Sequence, residues 1–364
     1  MGLNSWQVGG PDQPAAGPDV EQARTSRSFD VHGLRILVEG DWPEVIESVR
    51  LDFAWFEDPS VTAPHIRVEV VREEPRFDEF GDVVASFVTP RNVVYQDGPR
   101  TIIDYFGRAV SVFDRAESRL EIRGTQRDIV HEAVYQFLLS SVGAYFDSRR
   151  MPRMHGVALV GAPGAVIVML PSGGGKTTLA LRALQDGSVK LLSEDSPLLD
   201  TRGRLHPFPL RIGINATDAQ RLPEGQVRRI ERMEFHPKYA LELSAFADRI
   251  EATPQPLRHI VIGKRSLGLN AKLVPLPRRS AIGPLLREVV VGVGLYQGLE
   301  YILQRGFGDL WRKSSAVATR ARCCAAAVSH AQVWRLQLGR DHDRNWEALQ
   351  PLLKGEQGAS APGG

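Results

Sequence analysis

The chain contains little cysteine: only two of its 364 residues, the adjacent pair Cys323 and Cys324. An adjacent pair can form neither a disulfide framework nor the spaced ligand set of a zinc site. The alanines that follow, at 325–327, indicate that both cysteines are small apolar residues of a helix. A chain without structural disulfides is typical of a reducing compartment, so we expect a cytoplasmic protein.

Long apolar runs and an excess of one charge are missing as well. No stretch approaches the roughly 18 to 20 apolar residues that span a bilayer, and residues 1–19 contain no apolar segment typical of a signal peptide. Lys and Arg number 45 against 43 Asp and Glu, a net charge of +2. Because binding to nucleic acid rests on neutralising phosphates with a positive excess, we expect neither a membrane nor a nucleic acid as partner.

Composition divides the chain into four parts. Residues 1–27 and 355–364 have few large apolar side chains and many Gly, Pro and polar residues, so we predict disordered tails. Residues 28–150 contain seven short apolar segments separated by turns, followed by a long amphipathic helix over 127–149. They predict an N-terminal, mostly antiparallel α+β module. Residues 151–354 alternate buried strands with helices and predict an α/β domain.

A glycine-rich loop, PSGGGKTT at 171–178, is the most informative stretch of the sequence. An apolar strand, AVIVML, precedes it and a helix that ends near Gly187 follows it, which is the context of a phosphate-binding loop. Small residues let backbone N–H groups converge on phosphate oxygens, and the helix N-terminus adds partial positive charge. Lys176 would reach the β- and γ-phosphates of a nucleotide, and the Thr177 hydroxyl would complete the coordination of Mg²⁺.

The loop departs from the phosphate-loop pattern at one position. Leu170 stands where the first glycine of that pattern is expected. A chance glycine-rich turn is the alternative, which the flanking strand and helix disfavour. The predicted nucleotide-binding residues are Pro171, Ser172, Gly173, Gly174, Gly175, Lys176, Thr177 and Thr178.

A carboxylate pair and one histidine are further candidates for the site. Glu194 and Asp195 end the strand that follows the loop's helix, and the C-terminal ends of neighbouring strands in an α/β sheet open onto one crevice. Adjacent carboxylates on a strand point to opposite sides, which suits one to bind metal and the other to meet an incoming hydroxyl. His155 stands at the start of the strand entering the domain. Alone, such a histidine is more often packed or solvated than catalytic.

Together these elements resemble the catalytic domain of HPr kinase/phosphorylase, a family that phosphorylates a protein serine. An HGV segment at 155–157, two apolar strands, a loop ending Gly-Lys-Thr, a helix closed by Gly187 and a carboxylate pair follow the family's order over residues 154–215. The pair is Glu-Asp where the family usually has two aspartates. The overall pattern is similar to that of HPr-kinase-like proteins of ribosomal-peptide pathways, notably the kinases that phosphorylate lasso-peptide precursors.

The resemblance implies a P-loop kinase core of the HPr kinase type that uses ATP and Mg²⁺. It implies that Thr177 and Asp195 hold Mg²⁺, that Glu194 is the general base and that His155 orients or tunes this base. Phosphoryl transfer also requires Lys176 to offset charge. The acceptor would be a serine-type hydroxyl of a peptide or protein, with a lasso-type precursor peptide favoured. Because glutamate is one methylene longer than aspartate, which carboxylate does which task stays open.

Two alternatives to a kinase that phosphorylates precursor peptides stay open. An HPr-type regulatory kinase/phosphorylase is one, and a P-loop ATPase that acts as an assembly switch without a phospho-acceptor is another. Arg211, Lys264 and Arg265 are candidates for the cation that clamps the transferred phosphoryl group, although solvated basic residues are common. The sequence leaves a homo-oligomer open.

The sequence also contains two runs of basic residues. They comprise Arg149, Arg150 and Arg153, and the segment 227–238. Either run could meet an acidic peptide, but such runs are more often solvated faces.

Overall fold

The computed structural model describes residues 24–171, 173–220, 222–223, 225–232, 235–291 and 307–356. The predicted tails lie almost wholly outside these ranges. Within them the chain is a mixed α/β fold with three sheets and flanking helices. None of the helices in the described ranges combines the length and apolar character that crossing a membrane requires.

An eight-stranded sheet forms the N-terminal module. Its strands are β1 (Thr25–Val31), β2 (Leu34–Gly40), β3 (Ile66–Val71), β4 (Ala85–Val88), β5 (Val93–Asp97), β6 (Arg100–Asp104), β7 (Ala109–Asp114) and β8 (Arg119–Gly124). Their order is β1-β2-β3-β8-β7-β6-β5-β4, and within this sheet the two pairings of β3, with β2 and with β8, are parallel. Strand β1 begins inside the segment that the sequence predicts as a tail, because its residues pair along their length with β2.

Two helices cover the inner face of this sheet, α1 (Pro43–Asp52) and α2 (Arg127–Ser148). The sequence predicts that α2 is amphipathic, and this prediction is wrong. Every residue from Ile129 to Ser140 is buried, including His131, Glu132 and Gln136. The face that would meet water is covered by the second half of the chain, which makes α2 an interior helix.

Eleven more strands follow α2 in the described ranges. They are β9 (Val157–Gly161), β10 (Gly164–Met169), β11 (Lys190–Ser193), β12 (Leu198–Leu199), β13 (Arg204–His206), β14 (Ile212–Ile214), β15 (Val227–Arg232), β16 (Phe235–Leu241), β17 (Gln255–Arg265), β18 (Lys272–Leu276) and β19 (Gln332–Leu338). Strands β14, β16 and β15 form a small sheet, so the predicted basic run at 227–238 is largely a β-hairpin. The other eight form the second large sheet.

The direction of the strands in this second sheet determines what meets at its edge. The order is β11-β9-β10-β17-β13-β12, with β19 beside β17. Strands β10, β17 and β19 are parallel, whereas β9 is antiparallel to both β10 and β11. Strands β10 and β11 therefore run the same way with β9 between them. Their C-terminal ends and the N-terminal end of β9 lie on one edge.

Helices cover both faces of the second sheet. The described helices after α2 are α3 (Lys176–Gln185), α4 (Ala216–Ala219), α5 (Ile282–Leu285), α6 (Phe307–His330) and α7 (His342–Lys354), of which α4 packs on β16 of the small sheet. Along β10, Val166 and Val168 face the core formed with α3 and α7, whereas Ile167 faces the core formed with α6. Cys323 and Cys324 are free and buried in that second core, as their alanine-rich context predicts.

A buried ion-pair network joins the N-terminal module to the rest of the chain. Asp52, at the end of α1, is fully buried and contacts His131 and Arg211, each at 2.9 Å, and also Arg228 of β15. Arg211 donates in addition to Glu132 of α2 at 3.1 Å. Burial opposes ionisation of Asp52, but the surrounding positive charge outweighs it and lowers the pKa of this carboxyl to about 2.

Asp52→Asn tests how much this network stabilises the fold. The substitution leaves two arginines without their shared carboxylate, so we expect the free energy of unfolding at neutral pH to fall by about 3–5 kcal/mol. Because the folded-state pKa is depressed, the contribution of the native carboxylate is complete above its ordinary pKa of 3.8 and is lost as pH falls toward about 2. Denaturant titrations across this pH range should show a flatter pH dependence in the variant. The exposed Asp248→Asn is the control, and equal effects of the two substitutions would contradict the network's importance.

Candidate functional site

The predicted site residues meet at the edge where β10 and β11 end. Strand β10 leads into the glycine-rich loop, and β11 leads into Glu194 and Asp195. His155 reaches the same edge because it lies two residues before β9, which runs the other way. The backbone N–H of Gly156 donates to the carbonyl of Asp195 at 3.0 Å, and this bond fastens the start of β9 to the carboxylate pair.

Glycine is required by the backbone of the loop. Gly173 and Gly175 have φ values of +69° and +104°, in the left-handed region that side chains disfavour. The N–H of Gly174 donates to the carbonyl of Pro171 at 2.8 Å, which closes the turn before α3 begins at Lys176. Ser172 lies outside the described residues. Thr178 lies in the first turn of α3.

Leu170 takes the place of the missing glycine by packing into the core. Its side chain is only 2% exposed and approaches Gly263 of the neighbouring strand β17. A Cβ atom added to Gly263 would lie 2.0 Å from Leu170 Cδ2. The absent side chain at 263 therefore provides the room for a leucine at this position.

Lys176 and Thr177, from the first turn of α3, each reach one carboxylate of the pair. The Lys176 ammonium lies 3.7 Å from Asp195 Oδ1 and donates to the carbonyl of Leu170 at 3.4 Å. The Thr177 hydroxyl donates to Glu194 Oε1 at 2.6 Å. The two carboxylates thus have different partners, as expected for neighbours that point to opposite sides of a strand end.

His155 connects Asp195 to a buried glutamate. Its Nε2 lies 3.2 Å from Asp195 Oδ1, and its Nδ1 lies 2.9 Å from Glu288 Oε2. Glu288 is 4% exposed, and Arg287 donates to its other carboxylate oxygen at 2.8 Å. The imidazole is thereby held from both sides. The Asp195 side chain itself remains 47% exposed, so an approaching molecule can reach it.

The pKa values of Glu194 and Asp195 are shifted in opposite directions. Burial, reinforced by the charge of Asp195, raises the pKa of Glu194 to about 7. Burial acts in the same direction on Asp195, but the hydrogen bond and charge of His155 outweigh it, and the pKa of Asp195 lies below its ordinary value. The pKa of His155 is raised because the attraction of Asp195 exceeds the opposing effect of burial. Asp195 is therefore the carboxyl that is fully ionised at neutral pH.

A cavity of about 190 Å³ opens beside the carboxylate pair, and no residue of the described part of the glycine-rich loop lines it. One wall comes from α2, through Glu132, Tyr135 and Leu139. The facing walls come from the second half of the chain and include Arg153 and Lys238. Both halves of the protein thus shape a space that ends at Asp195.

The three predicted cation candidates lie in different places. Arg211 lines the cavity, but its charge is taken up by Asp52 and Glu132. Arg265, at the end of β17, donates to the carbonyl of Gly173 in the glycine-rich loop at 3.1 Å. Lys264 is exposed. Of the three, Arg265 alone contacts the described part of the loop.

Sequence reasoning missed Glu288 and gave Arg153 and Lys238 no specific role. Glu288 is 133 residues from His155, and no local pattern pairs residues so far apart. Arg153 looked like one more member of a solvated basic run, and Lys238 sat at the end of another. Only the packing of α2 against the second half of the chain places Arg153 and Lys238 on a common cavity.

No protein-family model matches the sequence, and no curated protein does either. Within the described ranges, no three His, Cys, Asp or Glu side chains come together as a metal site. The functional interpretation therefore rests on the geometry of this edge.

A double substitution tests the fit between Leu170 and Gly263. Leu170→Ala should lower the free energy of unfolding by about 2–5 kcal/mol because it leaves a cavity under the loop. Gly263→Ala alone should also destabilise, by about 1–3 kcal/mol, because its methyl group overlaps the leucine. In the double variant the new methyl fills part of the space, so the combined loss should be smaller than the sum. Strictly additive losses in denaturant titrations would show that the two side chains do not share this space.

Proposed function

We propose that the protein is an ATP-dependent kinase that transfers the γ-phosphoryl group to a serine-type hydroxyl of a peptide or protein. One observation carries this proposal. Lys176 and Thr177 of the glycine-rich loop lie 3.7 Å and 2.6 Å from the two carboxylates that end the neighbouring strand. Phosphoryl transfer needs a loop that binds the phosphates, a cation that offsets their charge, oxygen ligands for the metal ion and a group that accepts the proton.

The same arrangement supports the finer architecture expected from the resemblance. In this proposal residues 151–354 form a P-loop kinase core of the HPr kinase type, and residues 28–150 form the added N-terminal module. The glycine-rich loop would hold the phosphates through backbone N–H groups and the N-terminus of α3. Lys176, already buried against the loop, would place its charge on the β- and γ-phosphates. A cytoplasmic location, where ATP is abundant, belongs to the same proposal.

The residues present suit Mg²⁺. This ion is usually held by one or two carboxylates together with substrate phosphates rather than by a cage of protein ligands. The Thr177 hydroxyl and the Glu194 carboxylate, 2.6 Å apart, are a pair of hard oxygen ligands of that kind. Bound there, the ion would neutralise charge on the phosphates, and it would also favour the ionised form of Glu194.

The contacts favour a division of labour opposite to the one that the resemblance implies. Asp195 is reachable from the cavity and is held by His155, so we assign the proton-accepting task to Asp195 and the metal side to Glu194. His155 orients Asp195, and Glu288 in turn orients His155. In this chain the acceptor hydroxyl would give its proton to Asp195 as its oxygen attacks the γ-phosphorus.

The cavity supports a peptide or protein acceptor. It is wide enough for a side chain and ends at the reachable carboxylate, whereas a small closed site would be enough to activate water. By resemblance, a lasso-type precursor peptide remains the favoured substrate. An HPr-type regulatory kinase and an assembly ATPase are the rival outcomes of the assay below.

The acceptor assay tests the proposal directly. Precursor peptides and HPr proteins are incubated with the full chain, ATP and Mg²⁺, and mass spectrometry should show one added phosphoryl group on a serine or threonine of a precursor peptide. Lys176→Ala should abolish the product because the phosphates lose their cation. The exposed Lys264→Ala serves as a matched control and should retain activity. Free phosphate without any phosphorylated acceptor would favour the ATPase.

Separate substitutions distinguish the tasks of the two carboxylates. Asp195→Asn keeps the shape of the side chain but cannot take a proton, so transfer should fall about 10²- to 10⁴-fold while the affinity for Mg²⁺-ATP changes little. Glu194→Gln should instead raise the Mg²⁺ concentration needed for half-maximal activity. Glu288→Gln should act like a mild form of Asp195→Asn and alter the pH profile of kcat. Normal transfer by Asp195→Asn, with loss of transfer in Glu194→Gln, would restore the assignment expected from the resemblance.

A further inference from the structure

Arg153 is fixed between two structural elements near the carboxylate pair. On either side of it, the carbonyl of Pro152 accepts from the N–H of Leu199 at 3.0 Å, and the N–H of Met154 donates to the carbonyl of Pro197 at 2.9 Å. These bonds hold the backbone of Arg153 beside β12, two residues before His155. Its position is therefore set by the same segment that delivers the site histidine.

Helix α2 makes room for the guanidinium of Arg153. A Cβ atom added to Gly143, in the interior of α2, would lie 2.5 Å from Arg153 Nη2. Glycine is a poor residue for a helix interior, so its presence here is explained by the arginine that packs against it. Gly143 thus leaves space on α2 for the guanidinium of Arg153.

Among the described residues, the charges of Asp147 and Asp195 act on the guanidinium of Arg153 without direct contact. It forms no hydrogen bond or ion pair with any residue in the described part of the chain. Asp147, whose charge raises the pKa of Arg153, is itself paired with Arg320 at 2.6 Å. Burial lowers the pKa of Arg153, yet a guanidinium remains charged in proteins. A cation that lines a cavity and has no carboxylate hydrogen-bonded to it favours the binding of an anion there.

The cavity presents this cation beside the proposed base. Arg153, Glu194 and Asp195 line the same space, and Arg153 and Asp195 lie close enough to influence each other's pKa. Lys238, an exposed residue of β16, also lines this space, and its charge acts on the nearby Glu194. The described part of the glycine-rich loop, by contrast, does not line this space and has its own cations, Lys176 and Arg265.

We propose that Arg153, assisted by Lys238, forms a second oxyanion site that holds the phosphoryl group as it reaches the acceptor. This rests on the proposed kinase function. The acceptor oxygen forms a bond to the γ-phosphorus, the bond from that phosphorus to the β–γ bridging oxygen breaks, and ADP keeps the electron pair. Asp195 takes the hydroxyl proton. Arg153 donates to oxygens of the moving phosphoryl group, whose charge develops on the cavity side of Asp195.

The first test does not depend on turnover. Crystals of the full chain without nucleotide are soaked in sodium tungstate, a tetrahedral dianion, and its anomalous signal is located. We expect tungstate within hydrogen-bond distance of Arg153 in the native protein and in the exposed control Arg150→Gln, and none there in Arg153→Gln. Tungstate at the glycine-rich loop alone would overturn the proposal.

The second test is kinetic. Arg153→Gln should lower kcat about 10²- to 10³-fold, the usual effect of removing one donor to developing charge, without changing the KM for ATP. Arg153→Lys, which keeps the charge but not the fork of donors, should lose less. Gly143→Ala offers a variant that favours the helix and therefore still folds, while its methyl group displaces the guanidinium. It too should lower kcat. A native kcat in Arg153→Gln would overturn the proposal.

Failure of this inference can be told apart from failure of the kinase assignment. If tungstate binds at Arg153 but no acceptor is phosphorylated, the anion site is supported. The kinase function, and with it the role of Arg153 in phosphoryl transfer, is then contradicted. Acceptor phosphorylation that is equally fast in native protein and Arg153→Gln supports the kinase and removes this site.

Discussion

The position of Asp52 constrains both halves of the protein. This fully buried carboxylate draws Arg211, from the segment before β14, and Arg228, from β15, onto the ends of α1 and α2. Removing such charges from water is costly, and the cost is offset only when the geometry brings several opposite charges together. The network therefore specifies one relative placement of the two halves. That placement also sets the distance across the cavity between α2 and the carboxylate pair.

Strand direction is the second constraint. One antiparallel strand, β9, lies between two strands that run the opposite way, and this reversal carries His155 to the edge where the glycine-rich loop and the carboxylates emerge. The loop itself depends on left-handed glycines and on the pocket that Gly263 leaves for Leu170. The site is thus assembled from backbone geometry first, and the reactive side chains follow from it.

Local features of this site were predictable from sequence, and distant ones were not. The glycine-rich loop, its helix and the strand-end carboxylates are each encoded within a short segment, since turn chemistry and strand periodicity act over a few residues. The strands of the N-terminal module follow from the same periodicity. Glu288 and Arg153 acquire meaning only through packing, and the burial of α2 on all sides depends on a partner that comes later in the chain. The assignment of tasks within the Glu194–Asp195 pair likewise needed the positions of Thr177 and His155.

Helix α2 is at once the centre of one hydrophobic core and a wall of the cavity beside Asp195. The edge that carries the glycine-rich loop and the cavity wall formed by α2 are therefore encoded in separate stretches of the chain. Substitutions in the first half can reshape which molecules fit against Tyr135 and Leu139 while every residue of the glycine-rich loop stays unchanged. Sequence change in the first half can thus alter the cavity while the loop is kept, but the cavity exists only where both halves of the chain are present.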